Sequence, residues 1–319
     1  MLGLLASKTH AQTTQPAIRA VVKIAMTVDD MDRSIKFYTH VLGFQKRSDQ
    51  EVLGADYEKL FNIFGVRCRI VELGLGNERL ELIEFVTPRG RLIPRDSRSN
   101  DRWFQHIAIV TTDMDRAYAK LKDAHVRYAS TAPQRLPEWN QNAAGIRAFY
   151  FRDPDDHVLE IISFPPGKGD PRWQQSTELF AGIDHTAIVV ESTDASLAFY
   201  RDVLGLRVAG GSENYGDEQA HLNNVEGAHL RITTLKASSG PGVELLEYLH
   251  PRDGRAYPAD AKANDLFHWQ TTVLTNDATA LLDRLRSIGS RIVSKNPTTP
   301  YLVRDPDGHA LKVVETNRN

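Results

Sequence analysis

Residues 34–44 read SIKFYTHVLGF, and 162 positions later residues 196–206 read SLAFYRDVLGL. In the first, Ile35, Tyr38, Val41 and Leu42 recur at helical spacing, and Gly43 is suited to a left-handed helix stop. Asp29 or Asp30, just upstream, can cap that helix. A second matched pair closes each half: FYFRDPDDHVLEII over 149–162 and YLVRDPDGHALKVV over 301–314, 152 positions apart. Gly65 and Gly227, again 162 apart, each precede a strand-like run that ends at Leu73 or Leu235. The chain therefore reads as an internal repeat. Between the halves, PPGKGDPRWQQSTELF (165–180) is rich in Pro and Gly and reads as a linker.

Each half divides once more. Stretches 18–28, 104–110, 183–190 and 267–274 have strand character, and each leads into a polar cap and a helix. In the last, Asn276 or Asp277 caps, Leu281, Leu282, Leu285 and Ile288 form the stripe, and Gly289 stops it. About three short strands follow each helix, so the unit is β-α-β-β-β, used four times. The RDPD turns at 152–155 and 304–307 are expected between the last two strands of a unit. The expected organisation is a tail over 1–17, a first two-module domain over 18–164, a linker over 165–181, and a second two-module domain over 182–319.

Composition narrows the function. The 319 residues, 41% hydrophobic and 25% charged, are those of a globular chain and not of a disordered one. A net charge of −2 disfavours nucleic acid as a partner. No apolar run is long enough for a membrane span. The single cysteine, Cys68, excludes an intrachain disulfide framework and is expected in the core. Gly74-Leu75-Gly76 reads as a hairpin, with no nucleotide cofactor implied. At the N-terminus, an apolar Met1–Ala6 followed by Thr9 and Ala11 has the spacing of a signal-peptidase site, so export to the periplasm is expected, with a cytoplasmic location as the alternative. Residues 89–102, RGRLIPRDSRSNDR, read as a solvated connection between the first two modules, or as a lid or an anion-binding rim.

Polar residues recur at equivalent places: Lys23, His106, His185 and His268 on opening strands, and Glu81, Glu160, Glu244 and Lys312 on closing strands. Alternation puts Glu81 on a face with Ile83 and Phe85, and Glu160 with Val158 and Ile162. A carboxylate on an apolar face must be paired or bound to a cation. On these residues, and on the SIKFYTHVLGF and RDPDDHVLEI pairs, the chain resembles the vicinal oxygen chelate superfamily of glyoxalases, bleomycin-resistance proteins and extradiol dioxygenases. The resemblance implies an α+β fold in which β-α-β-β-β modules pair into two cup-shaped mixed sheets with helices outside. It also implies a divalent metal at the bottom of a cup, held by first and last strands, and a small substrate with two adjacent oxygens.

Two positions depart from that pattern: Lys23 and Lys312 stand where ligands are expected, and a charged ammonium cannot ligate. With each half forming one cup, the second half keeps His185, Glu244 and His268, a two-His, one-carboxylate set of the kind that binds Fe2+. The first half keeps His106, Glu81 and Glu160, suited to Mn2+, Zn2+, Ni2+ or Fe2+, with Lys23 as an internal counter-ion in the metal's place. The expected function is a metal-dependent lyase, isomerase or ring-cleaving dioxygenase, catalytic residues unassigned. The alternative is a bleomycin-resistance-type binding protein with degenerate sites. His221, His229, His250, Tyr248 and Tyr301 are acid–base candidates whose more common role is at the surface or in the structure, and the chain is expected to be a monomer or homodimer.

Overall fold

The computed structural model describes residues 17–316, so the stretch on which export is expected lies outside the described residues. The first module comprises β1 (Ile18–Val28), α1 (Met31–His40), β2 (Gln45–Leu53), α2 (Ala55–Phe61), β3 (Arg67–Leu75) and β4 (Glu78–Thr87). The second has β5 (Gln105–Thr111), α3 (Met114–Asp123), β6 (Arg127–Tyr128), β7 (Gln134–Arg135), β8 (Arg147–Arg152) and β9 (Val158–Ser163). In the third, β10 (Phe180–Val190) leads into α4 (Thr193–Leu197), then β11 (Arg207–Asn214), α5 (Asp217–Asn223), β12 (His229–Lys236) and β13 (Gly242–His250). The fourth holds β14 (Trp269–Thr275), α6 (Ala278–Ser287), β15 (Arg291–Ile292), β16 (Tyr301–Arg304) and β17 (Ala310–Glu315). The expected helix signals hold locally. The Asp30 and Asp277 side chains accept from Arg33 N and Ala280 N, and Gly43 and Gly289 take φ of 76° and 72°. The third module differs in that α4 continues as a π-helical turn over Ala198–Val203.

The strands form two mixed sheets, and their membership overturns the expectation that each half of the sequence makes one cup. One sheet runs β15-β16-β17-β14-β1-β4-β3-β2, joining the fourth module to the first. The other runs β11-β12-β13-β10-β5-β9-β8-β6, joining the third to the second. The seams are antiparallel pairs of opening strands with matching registers: His185 opposite Ala108 and Ala187 opposite His106 in one, Lys23 opposite Thr272 and Ala25 opposite Gln270 in the other. A module alone would leave its opening strand as a bare edge. Any opening strand can cover another, so the choice of partner is made by packing elsewhere.

That packing still links the two modules of each half. Tyr38 of α1 donates to Asp153 of the second module's RDPD turn at 3.0 Å, and Tyr200 donates to Asp305 of the fourth module's turn at 3.0 Å. Each aspartate also meets the histidine four residues on, His157 at 2.9 Å and His309 at 3.1 Å. The quoted motifs are thus the two halves of one buried contact. Behind the sheets, α1 and α3 share a core with Ile24, Ile109 and Leu159, and α6 shares one with Ile188, Leu245 and Leu311.

The arginine-rich connection is exposed over much of 89–98, as a solvated connection should be, but two arginines anchor it. Arg91 grips Asp265 through its backbone N–H and both sides of its guanidinium, at 2.7–3.1 Å, and lies over Phe267. Arg255 repeats the grip on Asp101 at 2.7–3.0 Å and lies over Trp103. The connections 88–104 and 251–268 therefore clasp each other about a pseudo-twofold axis. Gly90 and Gly254 have no room for a side chain, since a Cβ would fall 2.0 Å from Asn264 O and 1.9 Å from Asn100 O. Cys68 is buried with its thiol pushed up to about 12 by burial, in keeping with a core residue.

His157 gives a pH signature of this frame. Its Nδ1 faces Asp153 at 2.9 Å and its Nε2 faces Leu266 O at 2.7 Å, so both nitrogens meet acceptors. Burial alone would lower its pKa, but the Asp153 carboxylate more than offsets this and raises it to about 8. A raised histidine contributes stability fully below about pH 6.5 and loses it as pH rises through about 8, here about 2 kcal/mol. Urea midpoints of wild type are expected to fall between pH 6 and pH 9 by more than those of His157→Gln. Parallel profiles would contradict the assignment.

Candidate metal centre

Because β5 and β10 are neighbours, residues from different halves meet on one floor. His106 on β5, Glu160 on β9 and His185 on β10 bring ligand-type atoms within 4.8 Å of one another, all three buried. Glu160 Oε2 lies 3.0 Å from His106 Nε2 and 3.6 Å from His185 Nε2, and Glu244 Oε2, from β13, lies 3.4 Å from His185 Nε2. Ligand atoms about 2.1 Å from a common ion stand about 3.0–3.4 Å apart at octahedral or tetrahedral angles. Among the described residues, Nδ1 of the buried His106 ring has no hydrogen-bond partner, and Nε2 meets only the Glu160 carboxylate. A buried imidazole with no other partner, facing a carboxylate, fits an ion between them.

The surroundings fix how these groups point. His185 Nδ1 meets Asp184 Oδ2 at 3.0 Å, and Trp173 Nε1 donates to the other oxygen of Asp184 at 2.8 Å. With Nδ1–H on a carboxylate, Nε2 is the nitrogen turned to the floor, where an ion would displace its proton. Thr234 Oγ1 donates to Glu244 Oε1 at 2.7 Å, leaving Oε2 aimed at His185. Burial would raise the Glu160 pKa, but the two imidazoles hold it at about 2. Burial likewise opposes a charged His185, and Glu244, Asp184 and Glu160 overcome it, driving its pKa well up. The floor is thus an anionic nest for a cation.

Above it opens a cavity of about 630 Å3. Its walls include Tyr150, Ile162, Leu222 and Leu246, with Asn214 and Gln219 as polar groups. The expected linker takes part: Lys168 and Pro171 line the cavity beside Phe164, and the 3-10 turn Pro171–Gln175 carries the buried Trp173 that holds Asp184. Residues 139–142 reach across to β11, where Asn140 Nδ2 donates to Asn214 Oδ1 at 2.7 Å and Asn142 Nδ2 to Gly211 O at 2.7 Å.

The other cup is chemically different. The seam registers match Lys23 with His185 and Gln270 with His106. The parallel pairs match Glu81 (opposite Ala25) with Glu244 (opposite Ala187), and Lys312 (opposite Thr272) with Glu160 (opposite Ala108). Lys23 Nζ sits 2.8 Å from both Glu81 and Glu72, and Lys312 Nζ lies 3.7 Å from the other Glu81 oxygen. Ammonium groups stand where the second cup would hold its ion.

Two expected ligand sets are therefore corrected. His185 and Glu244 do not share a floor with His268, and His106 and Glu160 do not share one with Glu81 or Lys23, because the sheets join modules across the halves. His268 also lies two positions short of the inward site, which Gln270 occupies. It precedes β14, meets Gln270 Oε1 at 3.4 Å, and is held neutral, its pKa lowered to about 3 by burial and by Arg304. The equal 83-residue spacings of Lys23–His106 and His185–His268 are misleading, since the registers require His185–Gln270. Asp184, Thr234 and Glu72 were not foreseen. Glu72 alone carried a signal, being directly opposite Glu81 across β3 and β4.

Removing Lys23 should expose this design. Burial would raise the Glu81 pKa, but Lys312 and Lys23 lower it, so the contribution is present above about pH 4.5 and fades as pH falls. Lys23→Met is expected to lower stability by about 3 kcal/mol at pH 7, and by less near pH 4. Urea denaturation at both pH values checks this, and an unchanged midpoint at pH 7 would contradict it.

The geometry can be set beside known proteins. A family model described as the Glyoxalase/Bleomycin resistance protein/Dioxygenase superfamily matches residues 20–161 and again 182–313. A 2-epi-5-epi-valiolone epimerase from an Actinomyces species is 30% identical over 169 residues, 51% of this chain and 88% of the relative. The lactoylglutathione lyase of Schizosaccharomyces pombe is 27% identical over 205 residues, 62% of this chain and 63% of that protein. Glyoxalase I from Zea mays shares the fold with a TM-score of 0.62 at 18% identity, over 93% of this chain and 92% of that one. Both halves match one family and the four modules pair into two cups, so the chain belongs to the Glyoxalase/Bleomycin resistance protein/Dioxygenase superfamily.

Proposed function

We propose that the cup of the second and third modules is the active site of a divalent-metal-dependent isomerase, epimerase or lyase, acting on a small substrate with two adjacent oxygens. The observation that carries this reading is the meeting of His106, His185 and Glu160, whose ligand-type atoms lie within 4.8 Å of one another beneath a cavity of about 630 Å3, with Glu244 Oε2 3.4 Å from His185 Nε2 on the same floor. These four residues would hold the ion; two imidazoles and two carboxylates suit Mn2+, Fe2+, Ni2+ or Zn2+. When bound, such an ion supplies Lewis-acid polarisation of a substrate carbonyl.

The chain's own groups divide the remaining work. A carboxylate that stands beside the ion and can move a proton, as Glu244 does here, is what an epimerase or isomerase needs. That favours proton transfer over ring-cleaving oxygenation, and the names of the epimerase and lyase relatives point the same way. Glu244 is the more accessible carboxylate, its side chain 19% exposed against 5% for Glu160. Held at Oε1 by Thr234, Glu244 is the residue that would release the ion when substrate binds and take a proton at Oε2 from the carbon beside the carbonyl. Asp184 keeps His185 in the required tautomer, and Tyr150, with its ring 4.9 Å from that of His106, shields the floor.

Calorimetric titration of chelator-treated protein with Mn2+, Ni2+ and Zn2+ is expected to give one ion per chain, lost in His185→Ala and kept in His268→Ala. Metal-loaded wild type should exchange the α-hydrogen of a simple α-hydroxyketone, dihydroxyacetone, with solvent deuterium. Glu244→Gln should bind the ion more weakly and lose the exchange even at saturating metal. A wild type that binds no ion, or binding lost in His268→Ala instead, would overturn the reading.

A further inference from the structure

The internal repeat provides a control for every surface of the molecule, and one surface breaks it. In the first half, the buried Asp155 of the RDPD turn is met by three groups from the start of α1. It accepts from Asp29 N at 3.1 Å and from Ser34 Oγ at 3.2 Å, and it pairs with the Arg33 guanidinium. In the second half Asp307 occupies the same place and keeps the equivalent backbone bond, from Glu191 N at 3.1 Å. The residue that replaces Arg33, 162 positions on, is Ala195. Asp307 is still almost fully covered, its side chain 7% exposed. The nearest guanidinium, that of Arg102, is paired with Glu191 and reaches Asp307 only at 3.9 Å.

The loss of Arg33 is not isolated. Lys36 of α1 corresponds to Ala198. Arg95 of the 88–104 connection corresponds to Ala259, and His125 after α3 to Gly289, both 164 positions on. Four long side chains are thus replaced by Ala or Gly around one carboxylate, and together with Asp307 these four small residues line a cavity of about 610 Å3 on the helix side of the sheets. Phe199 and Tyr257 supply aromatic surface. The cavity lies within the range of small-molecule sites. Its conserved geometry with the first half says which group fits. Arg304, which also lines it, is committed to Gly308 O and Ala261 O, as Arg152 is to Asp156 O, and Arg152 coexists with Arg33.

We infer that this cavity is a binding site for a small organic cation, with a guanidinium or ammonium group seated on Asp307 where Arg33 sits on Asp155. Burying a carboxylate without its cation is costly, and a ligand that supplies the cation recovers that cost. Phe199 adds apolar surface for the ligand's carbon skeleton, while the Tyr257 ring is already taken by the Arg304 guanidinium. The site is separate from the metal cup and does not depend on what the cup does.

The test is titration of the full chain with methylguanidinium, with butylammonium, and with neutral N-methylurea as the uncharged isostere, followed by calorimetry and by amide chemical shifts around 304–309. Saturable binding of one or both cations is expected, with N-methylurea bound at least about thirtyfold more weakly. Which cation binds tells guanidinium from ammonium. Ala195→Arg rebuilds the arrangement of the first half, so it should fold, raise the melting temperature and abolish binding. Asp307→Asn should abolish binding as well. Absence of saturable binding by either cation, equal binding of N-methylurea, or binding unchanged in Ala195→Arg would each overturn the proposal.

Discussion

Everything in this molecule depends on two antiparallel seams, β5 with β10 and β1 with β14, each joining opening strands from different halves of the sequence. An opening strand has its parallel partner on one side, β9 for β5 and β13 for β10, and an open ladder on the other. Closing that ladder with another opening strand satisfies both edges at once and curves each pair of modules around a shared floor. The clasp of Arg91 on Asp265 and Arg255 on Asp101, and the Tyr38–Asp153 and Tyr200–Asp305 contacts, hold the halves in the positions that make the crossed pairing the one formed.

The same pseudo-symmetry builds two floors of one geometry and different chemistry. Both must solve the problem of a carboxylate on the inward face of a sheet. In the cup of the second and third modules, Glu160 meets two imidazoles and Glu244 stands against one of them, the arrangement proposed above to hold a divalent ion. In the cup of the first and fourth, Lys23 and Lys312 approach Glu81 directly, and Glu72 accepts from Lys23. A fixed ammonium is a stable answer that needs no loading, but it leaves no coordination site for a substrate. One cup is thus free to specialise for structure while the other keeps exchangeable positions.

Much of this was legible in the sequence, and the reason is local. Helix caps, the left-handed glycine stops and the RDPD turns are decided within a few residues, so the four modules and their repeats could be read directly. So could the strand positions of Glu81, Glu160, Glu244 and Lys312, because strand alternation is a short-range rule. The partnering of modules could not be read, since four similar opening strands offer no local signal for which one pairs with which. His268 shows the related limit of register. Two polar residues, His268 and Gln270, share one side of the chain, and only the pairing with Ala25 shows that Gln270 faces the floor. Asp184 was invisible for a third reason: its role is set by Trp173 from a segment that looks like a linker.

The central claim is that one cup holds an ion between residues from both halves, while the other holds lysine in its place. Anomalous diffraction from crystals grown with Mn2+ tests it directly. The expected map has one peak per chain, about 2.0–2.3 Å from His106 Nε2, His185 Nε2 and an oxygen each of Glu160 and Glu244, with no peak beside Glu81. A peak beside Glu81 or His268, or none on the floor between β5 and β10, would contradict it.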